Sequence, residues 1–218
     1  KKFEKIITDI SYLKEKSAFN NYKLKQDINL IQNAFKKVSF FFVKVDTSIK
    51  KNANNTVNLT FDIDLGEKAA INQIKFIGDK VFKHRKLRNV IVSEESKPWK
   101  FLSNKKYLNE SRINLDVRLL KNFYINKGYY DVEVKNSTST YLDSKKFVLS
   151  YVINAGKIYT IRNSKLILPT DFDPKHFNEI NSILKELDGK FYSLSSINQL
   201  ISKIEKISIK KQYEFIYE

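Results

Sequence analysis

Cysteine is absent from the chain, which excludes disulfides and thiolate metal sites and is compatible with an oxidising compartment. Histidine is nearly absent: His84 and His176 stand far apart, with no second histidine at ligand spacing. Asp171-Phe172-Asp173 lacks the glycine and distal glutamate of a calcium loop. Glycine is scarce, five in 218 residues, and none of it forms a phosphate cradle or a nucleophile elbow. Glu94-Glu95 reads as a solvated helix end, because paired carboxylates do chemistry only when their environments are pushed apart. No apolar run approaches the roughly 20 residues that span a bilayer, so the residues are expected to be soluble by themselves. These absences predict a chain that is not an enzyme, with no catalytic residues, no cofactor and no metal.

Arginine is also sparse: among 40 basic residues only Arg85, Arg88, Arg112, Arg118 and Arg162 are arginines. The excess over 24 acidic residues gives a formal charge of +16, which raises the possibility of a polyanionic partner. Lysine places a point charge near phosphates, whereas base-edge readout favours the arginine fork. Because the lysines are scattered through every segment, a solvated lysine surface is the simpler reading, and nucleic acid is not expected as a partner. A basic nucleic-acid-binding module, or a membrane-surface partner, is the alternative; phosphate binding would fall steeply with salt.

What the chain does contain is repetition. An amphipathic stretch opening on Ile-Asn and followed by an aromatic-rich run occurs at Ile28-Asn29-Leu30 through Val45, at Ile113-Asn114-Leu115 through Val134, and at Ile197-Asn198-Gln199 through Tyr217. Val57 to Gly66 matches Phe147 to Gly156 without a gap. A recurrence of roughly 85–90 residues is too long for a solenoid and implies a string of small domains. The chain opens inside a helix and stops inside a strand, as a piece of a longer polypeptide would.

The complete middle unit reads as strand, helix, helix, strand, strand. Ala70 to Ile77 alternates, with Ile71, Gln73, Lys75 and Ile77 on one face and Asn72, Ile74 and Phe76 on the other, and stops at Gly78-Asp79. Val81, Leu87, Val90 and Ile91 form a short helical stripe. A second helix, capped by Ser103 or Asn104, carries Leu108, Leu115, Leu119 and Phe123 and ends near Lys127-Gly128. Strands Tyr129 to Ser137 and Phe147 to Ile153 form a hairpin across Tyr141-Leu142-Asp143-Ser144-Lys145. Two amphipathic helices covering a three-stranded sheet give a two-layer α+β domain. The first unit repeats this with a stripe of Leu24, Ile28, Ile31 and Phe35 and a turn over Lys50-Lys51-Asn52-Ala53-Asn54-Asn55. The third has Asp173-Pro174 opening one helix, Asp188-Gly189 closing it, and Ile197, Leu200, Ile201, Ile204 and Ile207 along the next.

This order of elements, with an aromatic and glycine step leaving the second helix, resembles the polypeptide-transport-associated (POTRA) repeat of the Omp85 family over essentially the whole chain. Ile71 to Gly78, Asn126 to Val134, Val57 to Gly66 and Phe147 to Gly156 carry the resemblance. Pro98-Trp99-Lys100-Phe101, Lys105-Lys106-Tyr107 and the Gly128-Tyr129 step make the middle unit similar to the third of five repeats in the outer-membrane assembly members. The expected modules are then residues 1–66, second-like and lacking its first strand; 67–156, third-like and complete; and 157–218, fourth-like and truncated. Ser39 and Gln212 stand where Gly128 does, and Leu168-Pro169 replaces Gly78-Asp79.

The resemblance implies tandem modules, each a mixed three-stranded sheet under two antiparallel helices. It implies a non-catalytic scaffold at the periplasmic face of the bacterial outer membrane. Such a scaffold receives unfolded outer-membrane proteins from periplasmic chaperones, docks accessory lipoproteins, and precedes a C-terminal barrel outside these residues. A translocation or secretion pore of the same family is the near alternative. In the family arrangement the third strand is central and the second lies at an edge, where an extended client can add by β-augmentation. The candidate binding strand is Tyr130, Asp131, Val132, Glu133, Val134, Lys135, Asn136 and Ser137. Its charges could equally guard an edge against aggregation, and Tyr129 and Tyr130 could be core anchors. Trp99 either packs under its loop or contacts a partner.

Overall fold

Asn20 opens helix α2 (Asn21–Lys37) by accepting from the amides of Tyr22 at 2.7 Å and Lys23 at 3.2 Å, which satisfies donors that a first helical turn leaves free. The computed structural model containing this helix describes residues 3–100, 102–140 and 146–213. The hairpin turn expected over 141–145, Phe101 and the final strand residues Glu214 to Tyr217 lie outside the described residues. The expected stripe of α2 is the buried one, with Leu24, Ile31 and Phe35 inside, Ile28 half-buried and one unforeseen member, Asp27.

Ile31, Phe35 and Val43 form a core with Phe3, Ile7 and Ile10, the last two on helix α1 (Glu4–Ile10). Phe61 and Ile63 reach the same core from strand β2 (Val57–Asp64). Strand β1 (Lys44–Lys51) pairs antiparallel with β2, from Lys44 opposite Asp64 to Lys51 opposite Val57. The amide of Asn52 closes their turn on the carbonyl of Thr56 at 2.9 Å.

The middle elements follow the expected order: strand β3 (Ala70–Asp79), helices α3 (His84–Arg88) and α4 (Glu110–Ile125), and strands β4 (Glu133–Thr140) and β5 (Lys146–Asn154). The sheet runs β3-β5-β4, so the last strand is central. The fold is α+β. Several local expectations are corrected. Asn72 and Gln73 are both exposed, which shifts the phase of β3 so that Ile71, Ile74 and Phe76 are buried together while Ile77 is 44% exposed. Val81 lies in a left-handed turn before α3, outside its buried stripe. Ser103 caps a separate 3-10 turn, Asn104–Lys106, and α4 is opened by Asn109, whose side chain accepts from the amide of Arg112 at 2.9 Å.

Downstream, Asp173 caps a 3-10 turn (Pro174–Phe177) leading into helix α5 (Asn178–Leu187), and Ser193 caps helix α6 (Leu194–Lys210). Phe172, Phe177, Ile180 and Leu200 form their core, with Ile183, Ile204 and Ile207 packed against it. Ile201 remains 46% exposed, at the margin of the expected stripe. By contact density the chain divides into two compact units, one of Lys1–Lys75, Val92–Leu115 and Ser137–Ser150, the other of Phe76–Ile91, Asp116–Asn136 and Tyr151–Glu218.

One cap is built three times. Ser39, Gly128 and Gln212 have φ of 81°, 93° and 58°. The following amides, of Phe40, Tyr129 and Tyr213, donate to the carbonyls of Phe35, Tyr124 and Ser208 at 3.0, 3.1 and 2.9 Å. The amides of Ser39, Gly128 and Gln212 themselves donate to Lys36, Ile125 and Ile209. This pair of bonds is the Schellman closure, which needs a left-handed residue at its corner. Counted back from the cap, Leu24, Asp27, Ile31 and Phe35 correspond to Ile113, Asp116, Leu120 and Tyr124, all buried. The Ile-Asn openings of the first two copies are therefore one helical turn out of register. The buried face of α4 runs beside the expected Leu115, Leu119 and Phe123, which are half-buried.

Candidate functional site

Strand β4 lies at an edge of its sheet. Val134 faces inward, 4% exposed, as does Val132 just before the strand at 7%, while Glu133, Lys135, Asn136 and Ser137 are exposed. The strand begins at Glu133 rather than at Tyr130. Upstream, the chain is still leaving the α4 cap: the amide of Tyr130 donates to the carbonyl of Gly128 at 3.1 Å and that of Val132 to Tyr129 at 3.4 Å. The aromatic run Phe40-Phe41-Phe42 occupies the equivalent stretch and is likewise outside its strand. Phe40 packs edge-on against Phe35, and Phe41 and Phe42 approach Phe147 at 5.6 and 5.8 Å. Both runs are packing anchors that fasten the strand entrance to the core.

Tyr130 and Asp131 are engaged beside the strand. Tyr130 lies edge-on to Tyr159 at 6.1 Å and to Tyr192 at 5.1 Å. The Tyr159 hydroxyl donates to the Asp131 carboxylate, and this bond, with the nearby negative charge, raises the phenol above its ordinary value of 10.0. The amide of Tyr159 donates to the carbonyl of Gly128 at 2.7 Å, and the amide of Tyr192 donates to the carbonyl of Tyr159 at 2.9 Å. Asn126 adds its side-chain oxygen, which accepts from the amide of Ser195 at 2.8 Å. The structure thus brings Tyr130 and Asp131 to a joint with the residues after β5, and leaves Glu133 to Ser137 on the free edge.

The same joint occurs earlier in the chain. The amide of Ala69 donates to the carbonyl of Ser39 at 2.9 Å, and the amide of Leu108 donates to the carbonyl of Ala69 at 2.9 Å. Asn109 donates to the carbonyl of Lys37 at 2.9 Å. Strand β1 starts after its cap at the same distance as β4. Sequence reasoning did not single out Lys44 to Lys51 as an equivalent edge, although the register from Ser39 to Gly128 would have located it.

Trp99 is 72% exposed in the 3-10 turn Pro98–Lys100, with the Lys97 ammonium 5.6 Å from its ring centre. Glu94 and Glu95 are not a solvated helix end. They lie half-buried in the loop after α3, where Glu95 accepts from the amide of Ile74 at 3.0 Å and Glu94 accepts from the Ser103 hydroxyl at 3.4 Å. His84 packs edge-on to Phe76, and His176 Nδ1 lies 2.8 Å from the Tyr213 hydroxyl. Among the described residues no group of three or more His, Cys, Asp or Glu side chains could hold a metal ion, and no helix is long and apolar enough to cross a membrane.

The buried carboxylates were not foreseen. Asp27 accepts from the amides of Tyr12 at 2.6 Å and Leu13 at 2.9 Å, pinning the segment after α1. Asp116 accepts from the buried Tyr151 hydroxyl at 2.7 Å. Tyr124, wholly buried, donates to the carbonyl of Lys80, and burial pushes its hydroxyl up to about 12.

A family model described as "POTRA: Surface antigen variable number repeat" matches residues 2–66 and 69–156. The outer membrane protein assembly factor BamA of Neisseria meningitidis serogroup B is 24% identical over 194 residues, which are 88% of this chain and 24% of that protein. BamA of Buchnera aphidicola subsp. Acyrthosiphon pisum is 28% identical over 166 residues, 75% of this chain and 26% of that protein. The chain therefore spans about a quarter of the length of these relatives. The crystal structure of Haemophilus influenzae BamA POTRA3-5 superposes with a TM-score of 0.53 at 14% identity, covering 93% of this chain and 79% of that one. At that identity the likeness is one of fold.

Proposed function

The chain belongs to the POTRA family, and we propose that it is the periplasmic scaffold of an outer-membrane protein assembly factor, with β4 as its receptor for unfolded outer-membrane proteins. The observation that carries this reading is the position of β4 at a sheet edge with Glu133, Lys135 and Ser137 exposed. An edge strand offers unpaired amides and carbonyls, and a client that pairs with them gains affinity from its own main chain, whatever its side chains. A receptor for many clients needs that tolerance. Strand β1 offers a second edge of the same design.

In this reading the modules are 1–66, 67–156 and 157–218, in the manner of the second, third and fourth repeats of BamA. Periplasmic chaperones deliver clients, accessory lipoproteins dock beside the edge, and a barrel follows in the longer polypeptide. The repeated caps and joints hold neighbouring modules to one another, and no chemical step is asked of them.

Amide hydrogen exchange with and without an outer-membrane β-strand peptide tests the reading. Added protection is expected in Glu133 to Ser137, with a second zone in β1. Protection confined to helix surfaces or to Tyr130 and Asp131 would contradict strand addition.

A further inference from the structure

In its sheet β3 has β5 on one side, and its other edge is met by the loop that follows α3. The amide of Ser96 donates to the carbonyl of Ile71 at 2.6 Å, and a Glu95 carboxylate oxygen accepts from the amide of Ile74 at 3.0 Å. Along a regular strand Ile71 and Ile74 would turn these groups to opposite sides. Asn72 and Gln73, both exposed, supply the extra residue of a bulge, which brings the two groups to the same outer side. This substitute for a neighbouring strand is fastened at both ends. The amide of Glu94 donates to the carbonyl of Lys105 at 3.0 Å, Ala70 and Tyr107 form an antiparallel bridge, and the amide of Leu108 donates to the carbonyl of Ala69 at 2.9 Å.

We propose, resting on the strand-addition reading of β4, that the β3 edge is a second strand-addition site held shut by Glu95 and Ser96, so that an extended polypeptide enters this sheet at β4 alone. An incoming strand would offer the Ile74 amide a peptide carbonyl, and a carboxylate is the stronger acceptor. The carboxylate is also supplied from within the chain, so it binds without the loss of translational freedom that a separate polypeptide must overcome. A client therefore loses the competition at β3, although the backbone groups there are of the same kind as those of β4. A loop that only filled space would not need an acceptor aimed at one amide, nor a bulge that turns the amide to meet it. On β4 the acid is used differently: Glu133 reaches Lys135 at 3.6 Å instead of a strand amide. The consequence for a receptor is one client strand per sheet, always entering from the same side.

Hydrogen exchange resolved to single amides by NMR tests this on the 218-residue chain, on Glu95→Gln and on Glu95→Ala, each alone and with an outer-membrane β-strand peptide. In the wild type and in Glu95→Gln, which keeps an oxygen acceptor, the Ile74 amide should exchange slowly whether or not the peptide is present. In Glu95→Ala it should exchange roughly tenfold faster or more, and the peptide should slow it again. The Leu108 amide should stay protected in all three chains. Slow exchange of Ile74 in Glu95→Ala, or fast exchange that the peptide does not slow, would overturn the proposal. So would loss of Leu108 protection in Glu95→Ala, which would make Glu95 a folding element of its loop. Protection of Glu133 to Ser137 by the peptide is read separately: its absence with the Ile74 response intact would retire β4 as the receptor and leave β3 as a site held shut.

Discussion

The amide of Tyr159 donates to the carbonyl of Gly128 at 2.7 Å, so the residue that closes helix α4 also receives the chain returning from β5. One backbone conformation serves both purposes. A methyl group at Gly128 would lie 2.9 Å from Ile158 Cγ1, 3.2 Å from the Tyr159 carbonyl oxygen and 3.3 Å from Phe191 Cβ, at a φ of +93°.

Gly128→Ala should therefore destabilise the chain by about 2 kcal/mol or more, combining a left-handed penalty with crowding in the joint. Urea unfolding followed by circular dichroism measures the loss, and Tyr159 and Ser195 amides should lose exchange protection first.

Ser39→Gly makes the opposite change at the equivalent corner. Ser39 holds φ at 81° with a side chain attached, so removing the Cβ relieves backbone strain. A gain of roughly 0.5–1 kcal/mol is expected in the same unfolding experiment.

Asp116 and Tyr151 are both wholly buried and share a 2.7 Å hydrogen bond. Asp116→Ala removes this acceptor together with a buried carboxylate and should cost about 1–3 kcal/mol. A double-mutant cycle with Tyr151→Phe should give a coupling energy of at least about 1 kcal/mol, because the two side chains share this buried hydrogen bond.

The elements themselves were legible because apolar periodicity is local: the α2 stripe and the order β3, α3, α4, β4, β5 follow from spacing alone. Partners distant in sequence were not. Nothing near Asp27 points to the amides of Tyr12 and Leu13, and nothing near Asp116 points to Tyr151. The equivalence of Ser39 and Gln212 with Gly128 was legible, but their left-handed conformation was not, because glycine is its usual signal. Aromatic residues suit strands, which is why Tyr129 and Tyr130 read as strand although packing after the cap claims them. Of the candidate edge, Glu133 to Ser137 lie on the free strand, while Tyr130 and Asp131 are engaged by residues that the repeat pattern alone did not bring near them.

Tyr124 makes stability fall in alkali. Its hydroxyl is pushed from 10.0 to about 12 in the folded chain, so the folded state keeps its proton while the unfolded state loses it. The contribution is fully present below pH 10 and disappears as pH rises towards 12. Comparing urea midpoints of the wild type and Tyr124→Phe across this window should show a steeper decline for the wild type.

The central claim is that clients pair with the main chain of β4. Glu133 and Asn136 are both exposed and lie at opposite parity along the strand, so their N–H groups point to opposite sides, one towards β5 and one outward. Proline at the outward position removes a free donor and spares the sheet. The decisive measurement is the affinity of a fluorescent outer-membrane strand peptide for Glu133→Pro, Asn136→Pro and Glu133→Gln, with circular dichroism identifying the proline variant that remains folded. That variant should lose roughly tenfold or more in affinity, while Glu133→Gln retains most of it. Unchanged binding by the folded proline variant, or an equal loss in Glu133→Gln, would contradict the account.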